Sequence, residues 1–414
     1  MLTSVRSPVD ELISTGRLRA VYQPIVELEQ RSPVAFEALA RGPAGSAFES
    51  PAALFDEAER AELVAELDQA CREAALEGAL QAGLRPPHLL FLNVEPSALG
   101  RSDLFSDQAE RRLGDLGVVV EFTERALTAR PAEVLRAVGW LRERGCGIAL
   151  DDVGADERSL ALMPFLAPDV IKLDMRLVQE RRLSVESARA VNAVGAEAER
   201  SGSIVLAEGI ETEEHLLRAR SMGATLGQGW LFGRPGPLPA VMDPPARQHV
   251  ELRRAADTSA DSPFTLIADS RGLRRGDKRL LLALSRQLEA EAFGLGGEVV
   301  IMATFQDATF FTPATRARYE RLADRAALVG ALGVGMSEQP APGVRGAGFE
   351  PHNELRGEWD VIVVSPHFAG AFVARDLGDQ GADPERRFDF FLTYDRDLVT
   401  RAARALMSRI VPVA

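Results

Sequence analysis

From about residue 18 to about residue 235, short apolar runs alternate with longer stretches of helical period. The runs LRAVYQPIVEL, PVAFEALAR, LLFLNV, VVVEFTE, GIALDD, VIKLD, SIVLAEG and TLGQGWLF read as strands. Between them, FDEAERAELVAELDQACREAALEGALQAG and PAEVLRAVGWLRERG carry the helical pattern. TEEHLLRARSMGA shows both ends of a helix: Thr212 as N-cap, Glu213 and Glu214 at the positive end, and Gly223 past the last turn. This alternation predicts an α/β fold with a mainly parallel sheet. Too few residues separate YQPIVEL from PVAFEALAR for a helix, so the first two strands are expected to be antiparallel.

The first fold expected is therefore an irregular (β/α)8, TIM-like barrel with one antiparallel strand, followed by a smaller α/β domain. Around residues 236 to 263 the chain turns rich in Pro, Ala and charge, which marks a domain end. The boundaries drawn on this basis are 1–245 for the barrel, 246–262 for a linker and 263–414 for the second domain. In the latter, RGDKRLLLALSRQLEAEAF, TPATRARYERLADRAAL and RDLVTRAARALMSRIV read as helices, with Thr312 capping the second and Pro313 in its first turn. EVVIMATF, LVGALGVGM, WDVIVVSP, GAFVARDL and FDFFLTY read as strands, and EQPAPGVRGAGFEPHNELRG as a long surface loop.

Composition narrows the class. A chain of 414 residues, 46% hydrophobic and 26% charged, is a globular protein of about two domains. The net charge of -13 argues against nucleic-acid or anionic-membrane binding through a basic surface, though not against a small anion held locally. Cys71 and Cys146 are far apart and in no metal spacing, which suits a reducing compartment. The opening MLTSVRSPVDELIST is not a signal peptide and no apolar run approaches a membrane span, so a cytoplasmic location is expected.

Chemistry gathers at the C-terminal strand ends. Glu37, Asn93, Glu121, Glu124, Asp151, Asp152, Lys172, Glu208, Glu211 and Gln228 all fall there. A parallel barrel opens those ends onto one face, where barrel enzymes place their chemistry. Singly, each has a plain reading: the Asp pair as a turn or cap, Lys172 as a snorkelling side chain, Asn93 as a loop residue. Jointly, so many acids on one mouth require positive charge among them. Glu, Asp and Asn oxygens suit Mg²⁺ or Mn²⁺, and adjacent aspartates suit a two-metal site for phosphoester hydrolysis.

The segments YQPI, EALAR, LNVEPSAL, VEFTE, DDVG, IKLD, AEGIET and GQGWLFGRP resemble, in order, the motifs of EAL domains, the phosphodiesterases that linearise cyclic di-GMP. The resemblance implies that Glu37, Asn93, Glu121 and Asp151 bind one metal, and Asp151, Asp152 and Glu208 the other. It further implies that Lys172 positions the attacking water, that Glu208 and Glu211 are the acids of the second motif, and that Gln228 supports the water network. Gln23, Leu39 and Arg41 resemble substrate-gripping positions, and Pro235 the proline lining the guanine pocket. Glu124 resembles the acid that anchors the loop after the aspartates, through which such domains couple a homodimer contact to the site. That loop departs here: Val153–Ser159 lacks the family's aromatic residues and second glycine and carries Asp156, Glu157 and Arg158 instead. A receptor that binds cyclic di-GMP without turnover, or a signalling scaffold, is the alternative such a change raises.

The pattern from LIADSRGL to VVSPHFAGAFVARD resembles the DICT domain, a sensory module, and implies an unidentified signal at the C-terminal domain. Its aromatic clusters ATFQDATFFT and RFDFFLTY fit either a pocket or a core.

Overall fold

The computed structural model describes residues 7–101, 103–245, 250–253, 262–268, 272–379 and 382–410. Eight strands close in sequence order into a barrel: β1 (Arg19–Glu27), β2 (Pro33–Arg41), β3 (Leu89–Asn93), β4 (Gly117–Thr123), β5 (Gly147–Val153), β6 (Val170–Leu173), β7 (Ile204–Ala207) and β8 (Leu226–Gln228). β1 runs antiparallel to both β2 and β8, and every other neighbouring pair is parallel. The expected irregular barrel is present. The tight reversal from β1 to β2 is fastened by the buried Glu27 carboxylate, which accepts hydrogen bonds from the backbone N–H of Glu29 (3.0 Å) and Gln30 (2.6 Å). Because β1 is reversed, its register sets Gln23 directly opposite Glu37.

Ile25, Ala35, Phe91, Val119, Ala149, Val170, Leu206 and Leu226 fill the barrel interior below the C-terminal strand ends. Val250 and Leu252 join that cluster, so part of the segment read as a linker packs on the barrel. The Arg253 backbone N–H also donates to Asp169 Oδ1 at 2.9 Å. A second difference lies between β2 and β3. The single long helix expected there is two, Pro51–Arg60 and Val64–Gln81. Glu62 adopts φ 58°, which stops the first helix, and Leu63 N–H bonds back to the Ala58 carbonyl. Both pieces can then bury Leu54, Ala58 and Leu67 against Val9 and Leu12.

The second sheet has the order β12-β11-β10-β13-β14-β15-β9, with β9 (Arg274–Asp277), β10 (Val300–Asp307), β11 (Leu328–Val334), β12 (Arg345–Phe349), β13 (Glu358–Val364), β14 (Ala369–Asp376) and β15 (Arg387–Thr393). Helices Lys278–Leu295 and Pro313–Ala323 pack Leu281, Leu288, Tyr319 and Leu322 onto one core with Ile301, Ala303, Val329, Val361, Phe372 and Phe388. Two segments differ from the sequence reading. RGD is an edge strand, and Asp277 caps the helix that follows, its Oδ1 accepting from Leu280 N–H at 2.9 Å. The expected surface loop contains β12, paired parallel to β11. Its glycines, which read as loop, are a packing requirement: a Cβ on Gly346 would lie 1.9 Å from the Ser337 carbonyl oxygen.

Compact packing divides the chain into Met1–Ala126, Ala137–Ala155 and Ala167–Ala256 as one unit and Leu127–Arg136, Asp156–Leu166 and Asp257–Ala414 as another. Among the described residues no helix is long and apolar enough to cross a membrane.

Candidate active site

Glu121 in β4 and Lys172 in β6 sit inside otherwise apolar strands, and each is only 1% exposed. Charges so buried persist only when paired. Lys172 Nζ is the pairing centre: 2.8 Å from Glu121, 2.9 Å from Asp151, 2.8 Å from Glu208 and 3.9 Å from Glu37. Glu121 Oε1, Glu121 Oε2 and Asp151 Oδ1 are buried, and beyond the ion pairs to Lys172 they have no hydrogen-bond partner among the described residues.

Glu37 is held from the other side by amides. Asn93 Nδ2 donates to Oε1 at 3.0 Å and Gln228 Nε2 to Oε2 at 2.6 Å. Gln228 Nε2 also reaches Gln23 Oε1 at 3.1 Å, and Gln23 Nε2 donates to the Gly233 carbonyl at 3.2 Å. The chain passes here on glycine of necessity: a Cβ on Gly229 would meet Ile210 O at 2.1 Å.

Consecutive residues of a regular strand face opposite ways. Asp151 and Asp152 escape that rule because the pairing of β5 with β6 shifts between Leu150 and Val153, and Asp152 takes φ 57°. The bulge brings oxygens of Asp151, Asp152 and Glu208 within 4.8 Å of one another. Strain of this kind at a non-glycine residue is characteristic of functional sites.

Four carboxylates (Glu37, Glu121, Asp151, Glu208) thus face one ammonium, and Asp152 adds a fifth beside Asp151 and Glu208. Burial and the neighbouring charges of Glu37 and Asp151 hold Glu121 well above the usual carboxylate range, despite Lys172. Burial, with Asp151 and Glu37 beside it, raises Glu208 to about 7. Asp152 is also raised, by burial and by Asp151 and Asp174. Glu37 goes the other way: burial pushes it up, but Lys172 and the amides of Gln228 and Asn93 outweigh burial. Burial alone would depress Lys172, yet the surrounding acids drive it well above its ordinary value. A hard divalent cation is the partner that such uncompensated oxygens fit. Among the described residues, Asp151, Asp152 and Glu208 are the group whose oxygens lie close enough together to hold one.

Leu39 and Asn93 line a cleft of about 240 Å³ beside this cluster, together with Phe55, Arg72, Pro96 and Thr123. Arg41, half-buried at the end of β2, donates from Nη1 to its neighbour's carbonyl on Ala40 at 2.7 Å. Pro235 directly precedes Gly236, whose backbone pairs with Tyr22 of β1. Glu211 is exposed, and its backbone N–H donates to His215 Nδ1 at 3.3 Å. The side chains of Glu124 and residues 157–159 lie outside the described residues. Sequence reasoning missed the buried Arg72–Asp68 pair at this cleft. Arg72 also donates to the Leu104 carbonyl (2.9–3.0 Å), and Asp68 Oδ1 accepts from Glu95 N–H at 3.2 Å. An i, i+4 Asp–Arg spacing usually marks a solvated helix face, so only the apolar residues around it hinted at burial.

Fold and site together define a (β/α)8 protein whose mouth is built to concentrate oxygen ligands around positive charge. Residues 7–235 match the family model described as "EAL domain", and the chain belongs to the EAL-domain family. Residues 271–377 match DICT, "Sensory domain in DIguanylate Cyclases and Two-component system". The "Cyclic di-GMP phosphodiesterase RocR" of Pseudomonas aeruginosa is 35% identical over 166 residues, covering 39% of this chain and 42% of that one. The "Probable cyclic di-GMP phosphodiesterase PdeG" of Escherichia coli is 30% identical over 233 residues, 54% of this chain and 45% of that one. The chain spans less than half the length of these two relatives. A solved structure described as "Klebsiella pneumoniae BlrP1 pH 6 manganese/cy-diGMP complex" is 32% identical with a TM-score of 0.48, covering 53% of this chain and 56% of that one.

Proposed function

We propose that this protein hydrolyses cyclic di-GMP to linear pGpG with two bound Mg²⁺ or Mn²⁺ ions, and that its C-terminal domain adjusts the rate. The observation that carries this reading is the set of four carboxylates, Glu37, Glu121, Asp151 and Glu208, within 3.9 Å of one ammonium at the barrel mouth, with Asn93 donating to Glu37 and Asp152 grouped with Asp151 and Glu208. The names of two relatives, both cyclic di-GMP phosphodiesterases, support the substrate. Glu37, Asn93, Glu121 and Asp151 would hold one ion, and Asp151, Asp152 and Glu208 the other. Such ions supply positive charge for the phosphate oxygens and make water a usable nucleophile near neutral pH.

The chain's own groups do the positioning. Lys172 keeps its proton and presents Nζ at the centre of the acids, where it orients a water. Gln228 Oε1 is buried with no hydrogen-bond partner among the described residues and can accept from that water, while its Nε2 holds Glu37. Gln23, Leu39 and Arg41 grip the substrate, Arg41 at a phosphate oxygen, and Pro235 lines the guanine pocket. A bond forms from water oxygen to phosphorus as the bond to the 3′-oxygen breaks, and the water hydrogen ends on the 3′-hydroxyl. In this reading Glu211 is, with Glu208, an acid of the second motif, and Glu124 anchors the loop after Asp152. Residues 1–245 carry the hydrolysis, residues 263–414 the sensing, and the working form is a homodimer through the barrel. Purified protein supplied with Mg²⁺ or Mn²⁺ is expected to convert cyclic di-GMP to pGpG, and Glu37→Ala to abolish conversion. Tight binding with the ligand recovered intact would leave a receptor in place of an enzyme.

A further inference from the structure

In the C-terminal unit a cavity of about 230 Å³ opens between the helices Lys278–Leu295 and Pro313–Ala323 and the end of β10. Phe305, Phe310, Trp359 and Phe388 line it. Trp359 meets Phe388 edge-on at 5.9 Å, and Phe305 is locked by edge contacts to Phe311 (5.0 Å) and Tyr319 (5.4 Å). Rings fixed in this way give a rigid apolar wall suited to a flat molecule. An apolar cavity of about 150 Å³ admits benzene, so this one has room for one or two fused rings.

The polar lining decides what else that molecule carries. Two of its three cations are already neutralised. Lys278 Nζ binds both oxygens of Asp383 at 2.6 and 2.7 Å, and Arg318 pairs with the buried Glu289. Arg286 is the third, and it has no ion-pair or hydrogen-bond partner among the described residues. Gln306 also lines the cavity, half-buried, with no hydrogen bond to its side-chain amide among the described residues. Gln306 adopts φ 55° where the register of β10 against β11 shifts between Thr304 and Asp307. A bulge that forces a non-glycine residue into this conformation re-aims a side chain, and here the residue lines the cavity.

We propose that this cavity is the ligand site of the C-terminal unit, and that its ligand is a small planar aromatic carboxylate. The rings lie against Phe305, Trp359 and Phe388; the carboxylate meets Arg286 and the Gln306 amide. A cationic ligand would face an unpaired guanidinium, and a dinucleotide exceeds the volume. Binding does not depend on the barrel's activity. Only its effect on turnover rests on the reading of this unit as a regulator of hydrolysis.

Calorimetry on the full chain tests this, with 2-naphthoate and indole-3-carboxylate as probes against the neutral 2-naphthol and indole. At least one carboxylate is expected to bind with one-to-one stoichiometry, about tenfold more tightly than its neutral counterpart. Arg286→Gln, at an exposed position, should remove that tenfold advantage and leave the neutral counterpart unchanged. Leu282→Trp, which fills the cavity, should abolish binding of both. Equal affinity for carboxylate and neutral probe, indifference to Arg286→Gln, or absence of binding by every probe would overturn the proposal. None of these outcomes bears on cyclic di-GMP hydrolysis, which is measured separately.

Discussion

Lys172 is the buried cation that Glu121, Asp151 and Glu208 share, and removing it isolates the charges around it. Lys172→Met leaves Glu121, Asp151 and Glu208 facing one another without their shared partner. Taking one member from a buried ion cluster costs about 3–5 kcal/mol. The metal-free variant should therefore unfold at clearly lower urea than the metal-free parent, and its turnover with metal supplied should fall by roughly 10²-fold, as for a misplaced reactant. Unchanged unfolding in the presence of a chelator would mean that the acids are neutralised some other way. At this scale much of the site was legible from the chain alone. Acids, amides and a lysine at successive strand ends marked one face before any geometry was known. The β5 bulge was not legible, because the positive φ of Asp152 follows from pairing with β6 and not from local residue type. Arg72 and Asp68 stayed hidden because their spacing is equally that of a surface pair.

Among the elements, β13 carries an electrostatic load that the barrel does not explain. Asp360 is fully buried, and burial together with the Glu358 charge raises it well above its ordinary value of 3.8. Between the unfolded value and the raised folded one, its folded form therefore holds a proton that the unfolded chain releases. The stability this contributes is complete below the unfolded value and is lost as pH rises toward the raised folded one. Asp360→Asn removes the titration, so relative to the parent it should gain stability between pH 5 and pH 8, read as urea midpoints. A gap that stays constant across that range would show that Asp360 does not hold the proton. Strand and helix patterns were readable in both halves of the chain, since apolar period needs no knowledge of neighbours. What escaped were elements made by tertiary contact. The Glu62 break serves two helices on one apolar cluster, and β12 is a glycine-rich strand that only its close approach to Ser337 makes necessary.

For the molecule as a whole, the sequence showed two α/β units but misjudged how firmly the chain between them is held. Proline and charge made residues 246–262 look like linker, yet Val250 is 3% exposed and packs with Leu252 into the barrel core. Fully burying a side chain of this size is worth about 1.5–3 kcal/mol. A chain ending at residue 245 should accordingly be less stable than one ending at residue 256 by about 3 kcal/mol or more, and equal stability would show that these residues do not plug the barrel. The central claim, that the carboxylate-lined mouth directs water onto a phosphodiester, is tested most directly by isotope. Turnover of cyclic di-GMP by the full chain in H₂¹⁸O with Mn²⁺ should give pGpG whose phosphate carries one ¹⁸O by mass spectrometry. Recovery of intact cyclic di-GMP, or of product without the label, would contradict it.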